Sequence, residues 1–524
     1  MTPLALETNL IERIALGDLL RRRSRDTANK TAMVSYSEHG RSTVTYKELN
    51  QLSNQLVRGL REQGMVQGDS LALLATNSIE FFAVLFACYK GGFIAIPINF
   101  LQAVTDIHYN LSKANVKAVV CEPRFAPLTV DDSLTNISIR VSIGDSEGLT
   151  LAQLAAGQDS HDIDDIIIHD RDTAHIIFSS GTTSKPKGVE TSHLSMYMAS
   201  LSNPLSFGFN KYDSQLAVLP TFHCASLSIC IMTLQLGGKL VLLPQFEPLN
   251  VARVLEAEQI QSTALLPVMW QALLALPNLK QFDFSQLTTG LYGMAPMPAS
   301  SRRQLKAAFK NCRFHLVSGQ SEFTPFSCTF YDDSDTEFDD ANYWGVPSMI
   351  TDQAILDEQG NELPPGQQGE ICWRGPLVMN RYLDDVDASR KIREHGWHHT
   401  GDLGFIDNCG QLVFVDRKKD MIKSGGENVA SVKVEQVLLS APSVVQVAVF
   451  GVPHARWSEA VCAAVQIAPG QPFNEADIIQ YCKARLAGFE VPKRIVSVET
   501  FPVTATGKIQ KSTLKSQYEA LFDE

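Results

Sequence analysis

Residues 179–188 read Ser-Ser-Gly-Thr-Thr-Ser-Lys-Pro-Lys-Gly, the most informative segment of the chain for chemistry. Gly181 and Gly188 let the backbone bring N–H groups close to anionic oxygens. The hydroxyls of Ser179, Ser180, Thr182, Thr183 and Ser184 can donate, and Lys185 and Lys187 add positive charge. The composition suits phosphate. It is not the Gly-x-x-x-x-Gly-Lys-Ser/Thr loop, because both the spacing and the final Lys-Ser/Thr are absent. Taken alone, the segment reads equally well as an exposed linker.

Other segments change that balance. Trp397-His398-His399-Thr400-Gly401-Asp402, Asp416-Arg417-Lys418-Lys419 and Thr506-Gly507-Lys508 follow in order. With the first loop they form a series that resembles the acyl-adenylate-forming superfamily: acyl-CoA synthetases, nonribosomal peptide adenylation domains and firefly luciferase. The resemblance runs over nearly the whole chain. It implies ATP-dependent activation of a carboxylic acid to an acyl adenylate with release of pyrophosphate, then transfer to CoA to give acyl-CoA and AMP. The alternatives are transfer to the phosphopantetheine of a carrier protein, a luciferase-like oxidation, and a binding relative without chemistry. Retention of Glu322, Asp402, Arg417 and Lys508 argues against the last.

The resemblance also assigns roles. Residues 179–188, with Thr182 among the catalytic groups, would hold the β- and γ-phosphates of ATP. Ser321 and Glu322 would contact phosphate and Mg²⁺, a pairing that suits a hard cation. Asp402 would accept from both ribose hydroxyls and Arg417 would reach ribose or phosphate oxygens. Ser318, Gly319 and Gln320 would border the nucleotide, and Gly293, Met294 and Ala295 would run between adenine and acid. Phe222-His223 would stand at the mouth of the acid pocket, with Trp270 and Gln320 as walls. Lys508 would counter charge as the carboxylate attacks the α-phosphate. The small C-terminal domain would turn about Lys419 between the two steps and bring the loop Lys423 to Asn428, with Gly425, Gly426 and Glu427, beside the pantetheine channel of CoA.

Three positions depart from the usual pattern: Ser184 in place of Gly, Ser318 in place of Tyr, and Lys433 in place of Glu. Ser184 and the stretch Gly425 to Val429 are shared with the carnitine and crotonobetaine CoA ligase branch, which makes that branch the nearest by resemblance. No carboxylate set stands ready for a trimethylammonium group. Cys224, Ala225, Ser226 and Ile229 are small or apolar, so the expected acid is a monocarboxylate of small to medium size.

These residues need a scaffold. Helical stretches (Tyr46 to Gln63) alternate with short apolar runs (Ser70 to Leu74, Phe93 to Ile98, Thr173 to Phe178, Gln215 to Leu219, Lys239 to Leu243, Thr263 to Leu266), the pattern of an α/β fold. The phosphate loop is expected between the strand Thr173 to Phe178 and a helix from His193. Short strands from Tyr343 to Val415 imply a small β subdomain, and the polar stretch from Asp416 to Asn428 implies a hinge. The expected domains are 1–417, large and α/β, and 418–524, smaller, mobile and α+β.

The chain has 524 residues, a formal net charge of −12, 44% hydrophobic and 19% charged residues, which fit a globular protein and argue against a polyanion-binding surface. The longest apolar run, Phe81 to Tyr89, is far short of a membrane span, and the ten cysteines lack metal-site spacing and read as reduced thiols. The expectation is a cytoplasmic enzyme acting on a small-molecule acid, ATP and CoA, without nucleic-acid or integral membrane association, for which a homodimer is a permitted assembly.

Overall fold

The structure is a computed structural model that describes residues 2–179, 185–293, 297, 299–331, 334–338, 341–503 and 509–522. Its core is organised around the helix Ile79–Gly91, which carries the long apolar run. Phe81, Phe82, Leu85, Phe86 and Tyr89 are all fully buried. A helix apolar all round must be covered on every side. Here two sheets do so: Leu71, Leu73 and Val120 meet it from one, Met33, Leu240 and Leu242 from the other, within one continuous cluster. Ser78 caps its first turn by accepting from the Phe81 N–H, and Gly92 ends it at φ 68°.

The first sheet has seven strands in the order Arg381–Tyr382, Gly188–Ser192, Thr173–Phe178, Ile94–Pro97, Ser70–Leu74, Val116–Cys121 and Ile139–Ser142. It is parallel except at the edge where Gly188–Ser192 joins it. The expected strand Thr173–Phe178 and the helix from His193 are both present, with one strand inserted between them. Gly188–Ser192 is itself a strand, antiparallel to Thr173–Phe178, so the phosphate-type loop closes a hairpin. The strand escapes the sequence pattern because Glu190, Thr191 and Ser192 are polar yet buried. Glu190 is satisfied there by Arg381 at 2.9 Å and by accepting from Thr173 Oγ1 at 2.9 Å.

The second sheet has thirteen strands. One half, from Arg313–Ser318 through Thr289–Tyr292, Ser262–Ala264, Ser214–Ala217 and Lys239–Leu242 to Thr31–Ser37, is parallel, and Gly40–Thr45 adds an antiparallel strand at its edge. The other half, through Cys328–Tyr331, Tyr343–Pro347, Leu412–Arg417, His398–Ile406, Gly369–Arg374 and Asp352–Leu356, is antiparallel and contains the expected β subdomain. The subdomain continues this sheet.

The architecture is thus mixed α/β, with a large N-terminal domain and a small C-terminal one. The small domain has its own core: Val434 and Leu438 from the helix Ser431–Leu439 pack with Val447, Val449, Val461 and Val465 of the hairpin Val444–His454 and Ser458–Ile467. Part of the stretch expected to hold the hinge is paired strand. Ile422–Ser424 and Glu427–Val429 pair as a hairpin whose turn is Gly425 at φ 64° and Gly426 at φ 91°, which leaves 418–421 between strands. Lys433, the charge reversal noted in the sequence, meets a buried acid: its Nζ lies 2.5 Å from Glu490 Oε1.

Phe86→Ala is expected to cost about 3–5 kcal/mol, because both sheets would face a void that neither can fill alone. Urea unfolding measures this, and a loss below about 1 kcal/mol would show that the buried helix does not hold the sheets together.

Candidate functional site

Ligands of open α/β sheets gather at the carboxyl ends of the parallel strands. In this chain Ser318 ends the strand Arg313–Ser318, and Gly293 follows Thr289–Tyr292. Neither Gly293 nor Gly319 has room for a side chain. A Cβ on Gly293 would lie 2.5 Å from the Val317 carbonyl oxygen, and one on Gly319 1.7 Å from that of Pro325. The chain therefore folds back tightly after Ser318. Gln320, Ser321 and Glu322 follow on a short 3-10 turn, and Thr324, at φ 47°, ends it with Oγ1 donating to the Leu377 carbonyl at 2.6 Å.

That three-residue segment faces two ways. Gln320 Nε2 donates to the Thr400 carbonyl at 2.6 Å and to Asp402 Oδ2 at 3.1 Å, and Gln320 Oε1 lies 3.3 Å from His398 Nε2. Asp402 is buried, and Arg417 Nε reaches its Oδ1 at 3.6 Å from the neighbouring strand, where the two residues are register partners. On the other side the Tyr382 hydroxyl donates to Glu322 Oε1 at 2.8 Å, and Lys187 Nζ sits 4.7 Å from the Tyr382 ring centre. Burial and the Glu322 carboxylate raise the Tyr382 phenol well above its ordinary value, so it remains a donor.

The sequence motifs therefore converge. Lys187, Gln320, Ser321, Glu322, Asp402 and Arg417 are linked through direct contacts or chain adjacency. Ser179 bridges the base of the loop, its N–H donating to the Lys187 carbonyl at 2.9 Å, while Lys185 turns to Tyr109, 4.9 Å from the ring centre. Gly188 is buried between Ile176 and Leu383. Ser180, Gly181, Thr182, Thr183, Ser184, Met294, Ala295 and Lys508 lie outside the described residues. Lys423, Gly425, Gly426 and Glu427 form the hairpin of the small domain, with the Gly425 N–H donating to the Trp457 carbonyl at 2.8 Å. Burial lowers the Lys419 ammonium below its ordinary value.

Phe222 and His223, expected at the mouth of the acid pocket, lie at the start of the helix Cys224–Gln235. Phe222 meets Phe100 edge-on at 5.1 Å, and Phe100 stacks on Phe125 at 4.3 Å. His223 Nε2 is enclosed without a hydrogen-bond partner among the described residues, and burial pulls the imidazole down to about 4, so it is neutral at pH 7. Cys224 Sγ lies 3.0 Å from Ser321 Oγ, and burial pushes its thiol up to about 11. Trp270, expected as a wall, is a core residue instead. Its indole N–H donates to the Leu291 carbonyl at 3.1 Å and its ring packs edge-on against Phe309 and Phe314, since an indole can be buried at no polar cost once its N–H is bonded.

Tyr382 and Glu370 were not legible in the sequence. Glu370 accepts from the Gly401 N–H at 3.0 Å and pairs with Lys418 at 3.3 Å, which steadies the turn before Asp402. Neither lies in a recognisable motif; both reach the site only through strand pairing.

With this geometry established, comparison with known proteins is informative. Residues 20–383 match the AMP-binding enzyme family and residues 433–508 match the AMP-binding enzyme C-terminal domain, and the chain belongs to this family. It is 32% identical over 505 residues to a feruloyl-CoA synthase of an Amycolatopsis species and 30% identical over 505 residues to the long-chain-fatty-acid CoA ligase FadD13 of Mycobacterium tuberculosis, in both cases covering 96% of this chain and 99% of the relative. The ATP-bound structure of MatB from Rhodopseudomonas palustris superposes with a TM-score of 0.87 at 26% identity, covering 97% of this chain and 99% of that one. The protein is accordingly an AMP-forming acid–thiol ligase that uses ATP, Mg²⁺ and CoA. These relatives do not single out the carnitine branch. No helix among the described residues is long and apolar enough to cross a membrane.

Imidazoles held neutral by their enclosure are expected to make the fold acid-sensitive. Burial lowers His175 to about 3 and His193, His223 and His398 to about 4, against about 6.5 in an unfolded chain. Between those values the unfolded chain binds more protons, so stability is full above pH 6.5 and is lost as the pH falls toward 4. The expected slope from pH 6.5 to 5 is about 1.4 kcal/mol per pH unit for each histidine, read by urea unfolding. A flat profile over that range would show that these rings are not buried neutral.

Proposed function

We propose that the site formed by residues 320–322 at the carboxyl edge of the parallel strands joins a small to medium monocarboxylic acid to AMP, and that the acyl group then passes to CoA. The observation that carries this reading is the two-sided segment Gln320–Glu322, which ties a ribose-type pair, Asp402 and Arg417, to a phosphate-type group, Glu322, Tyr382 and Lys187.

In the first step a carboxylate oxygen attacks the α-phosphorus, the bond to the β-phosphate oxygen breaks, and pyrophosphate leaves. Two anions meet, so cationic groups are required. Lys187 supplies charge at the phosphate loop and Lys508 is assigned to the reacting carboxylate and α-phosphate. Buried Asp402, oriented by Gln320 and Arg417, accepts from the ribose hydroxyls. Glu322 Oε1 is engaged by Tyr382, which leaves Oε2 for a cation, and an oxygen ligand beside the Ser321 hydroxyl fits Mg²⁺. When bound, Mg²⁺ neutralises charge on the phosphate oxygens. In the second step the thiol sulfur attacks the acyl carbonyl and AMP departs with its oxygen.

Phe222, Phe100, Phe125, Ala225 and Ile229 favour an apolar or aromatic acid, in keeping with relatives named for feruloyl-CoA and long-chain fatty acids. The thiol acceptor is free CoA rather than a carrier protein. Residues 1–417 and 418–524 are the moving parts, the second turning near Lys419 and presenting the Gly425-Gly426 hairpin to pantetheine. A cytoplasmic location without nucleic-acid partners is in keeping with the net charge of −12 and the globular composition, and a homodimer is compatible with this reading.

The test is pyrophosphate release from ATP across ferulate, octanoate, indoleacetate and carnitine, with and without CoA or holo carrier protein; release with none of them would overturn the assignment. Glu322→Gln is expected to lower acid-dependent ATP–pyrophosphate exchange about 10²-fold and to raise the Mg²⁺ concentration needed for half-maximal rate. Lys508→Ala is expected to abolish exchange while sparing thioester formation from a supplied acyl adenylate. Equal loss of both would refute its role.

A further inference from the structure

The buried cluster where the small domain meets the strand Leu412–Arg417 has no part in the mechanism so far. The helix Ser431–Leu439 begins after Ala430, whose side chain cannot cap it. The cap comes from another element: the Ser431 N–H donates to Oδ2 of Asp416, which is itself buried and accepts the Arg417 N–H on Oδ1 at 2.7 Å. Lys511 closes the cluster from the C-terminal side. Its Nζ donates to Ser431 Oγ at 2.6 Å and pairs with Glu435 Oε1 at 2.7 Å, and Glu435 Oε1 also accepts the Val449 N–H at 2.8 Å. Burial opposes a charge on Lys511, but the carboxylates of Glu435 and Asp416 outweigh it and hold the ammonium above its ordinary value.

Lys511 follows Lys508 by three residues. The backbone on either side of 504–508 is pinched together, with Val503 and Ile509 bridged antiparallel and the Gln510 N–H donating to the Pro502 carbonyl at 2.8 Å. Lys511 anchors that closed base to the first turn of the helix. Asp416 carries the link across to Arg417, and through Arg417 to Asp402 and Gln320.

We propose that Lys511 is a positioning residue for adenylation: its ammonium, locked between Ser431 and Glu435 and facing Asp416, fixes the base from which Lys508 is presented to the nucleotide. The inference rests on the role assigned to Lys508 above. A group held this way affects the step that uses Lys508 and leaves the other step intact, because it touches neither acid nor CoA.

The experiment compares full-length wild type with Lys511→Met, Lys511→Arg and Glu435→Gln, using whichever of ferulate, octanoate or indoleacetate the wild type exchanges fastest. A displacement of about 1 Å in a reacting group costs about 10²-fold, so Lys511→Met is expected to lose that much ATP–pyrophosphate exchange in kcat, with thioester formation from the supplied acyl adenylate within about threefold of wild type. Lys511→Arg keeps the charge and recovers exchange to within about tenfold of wild type. Glu435→Gln gives a smaller loss with the same asymmetry, and carries the test if the methionine variant does not fold. Equal loss of both half-reactions, or unchanged exchange, would overturn the positioning role alone. Absence of exchange in the wild type would instead overturn the activation reading.

Discussion

The site depends on one crowded turn. Between Ser318 and Pro325 the backbone reverses so closely that residue 319 can carry no side chain, and Thr324 holds a left-handed conformation secured by its hydroxyl on Leu377. Such a conformation costs on the order of 1–3 kcal/mol and persists only where the surroundings over-determine it. What it provides is placement. Three consecutive residues leave the end of a parallel strand in a fixed orientation, and each reaches a different partner: Gln320 toward Asp402, Ser321 toward Cys224, Glu322 toward Tyr382. A relaxed loop would scatter these groups.

Electrostatics explains why the partners are buried and bonded. An acid and a nucleotide repel one another, and their approach is favourable only among fixed charges and dipoles in a partly dry space. Glu322 and Asp402 each carry a neighbour that fixes one oxygen, Tyr382 for the first and Gln320 for the second, so neither carboxylate has to reorganise when a ligand arrives. The His223 ring, neutral because it is buried, adds no positive charge beside Phe222, in keeping with the proposed acid whose far end is uncharged.

Much of this was legible in the sequence because motif chemistry is local. The run at 179–188, Ser321-Glu322, Gly401-Asp402 and Arg417 are recognisable by residue type and spacing, and the helix from Tyr46 and the strand at Thr173–Phe178 follow from periodicity. What was missed is non-local or polar. Gly188–Ser192 is a strand whose buried Glu190 is satisfied by Arg381, nearly two hundred residues away, so its composition argues against its conformation. Tyr382 gains its place from strand pairing with Val189. Trp270 was read as a wall by resemblance alone, but the bond from its N–H to Leu291 seats it in the core.

Asp416 belongs to the large domain by chain position and strand pairing, yet it finishes the first turn of a helix in the small one. Ownership of a residue by sequence and ownership by hydrogen bonding need not coincide. Any transplant of the small domain onto a scaffold without a carboxylate at this point, whether by recombination in nature or at the bench, must bring the acceptor along or leave the graft with a frayed helix. The natural seam for exchanging modules therefore lies upstream of Asp416, inside the sheet, and not in the polar stretch that follows it.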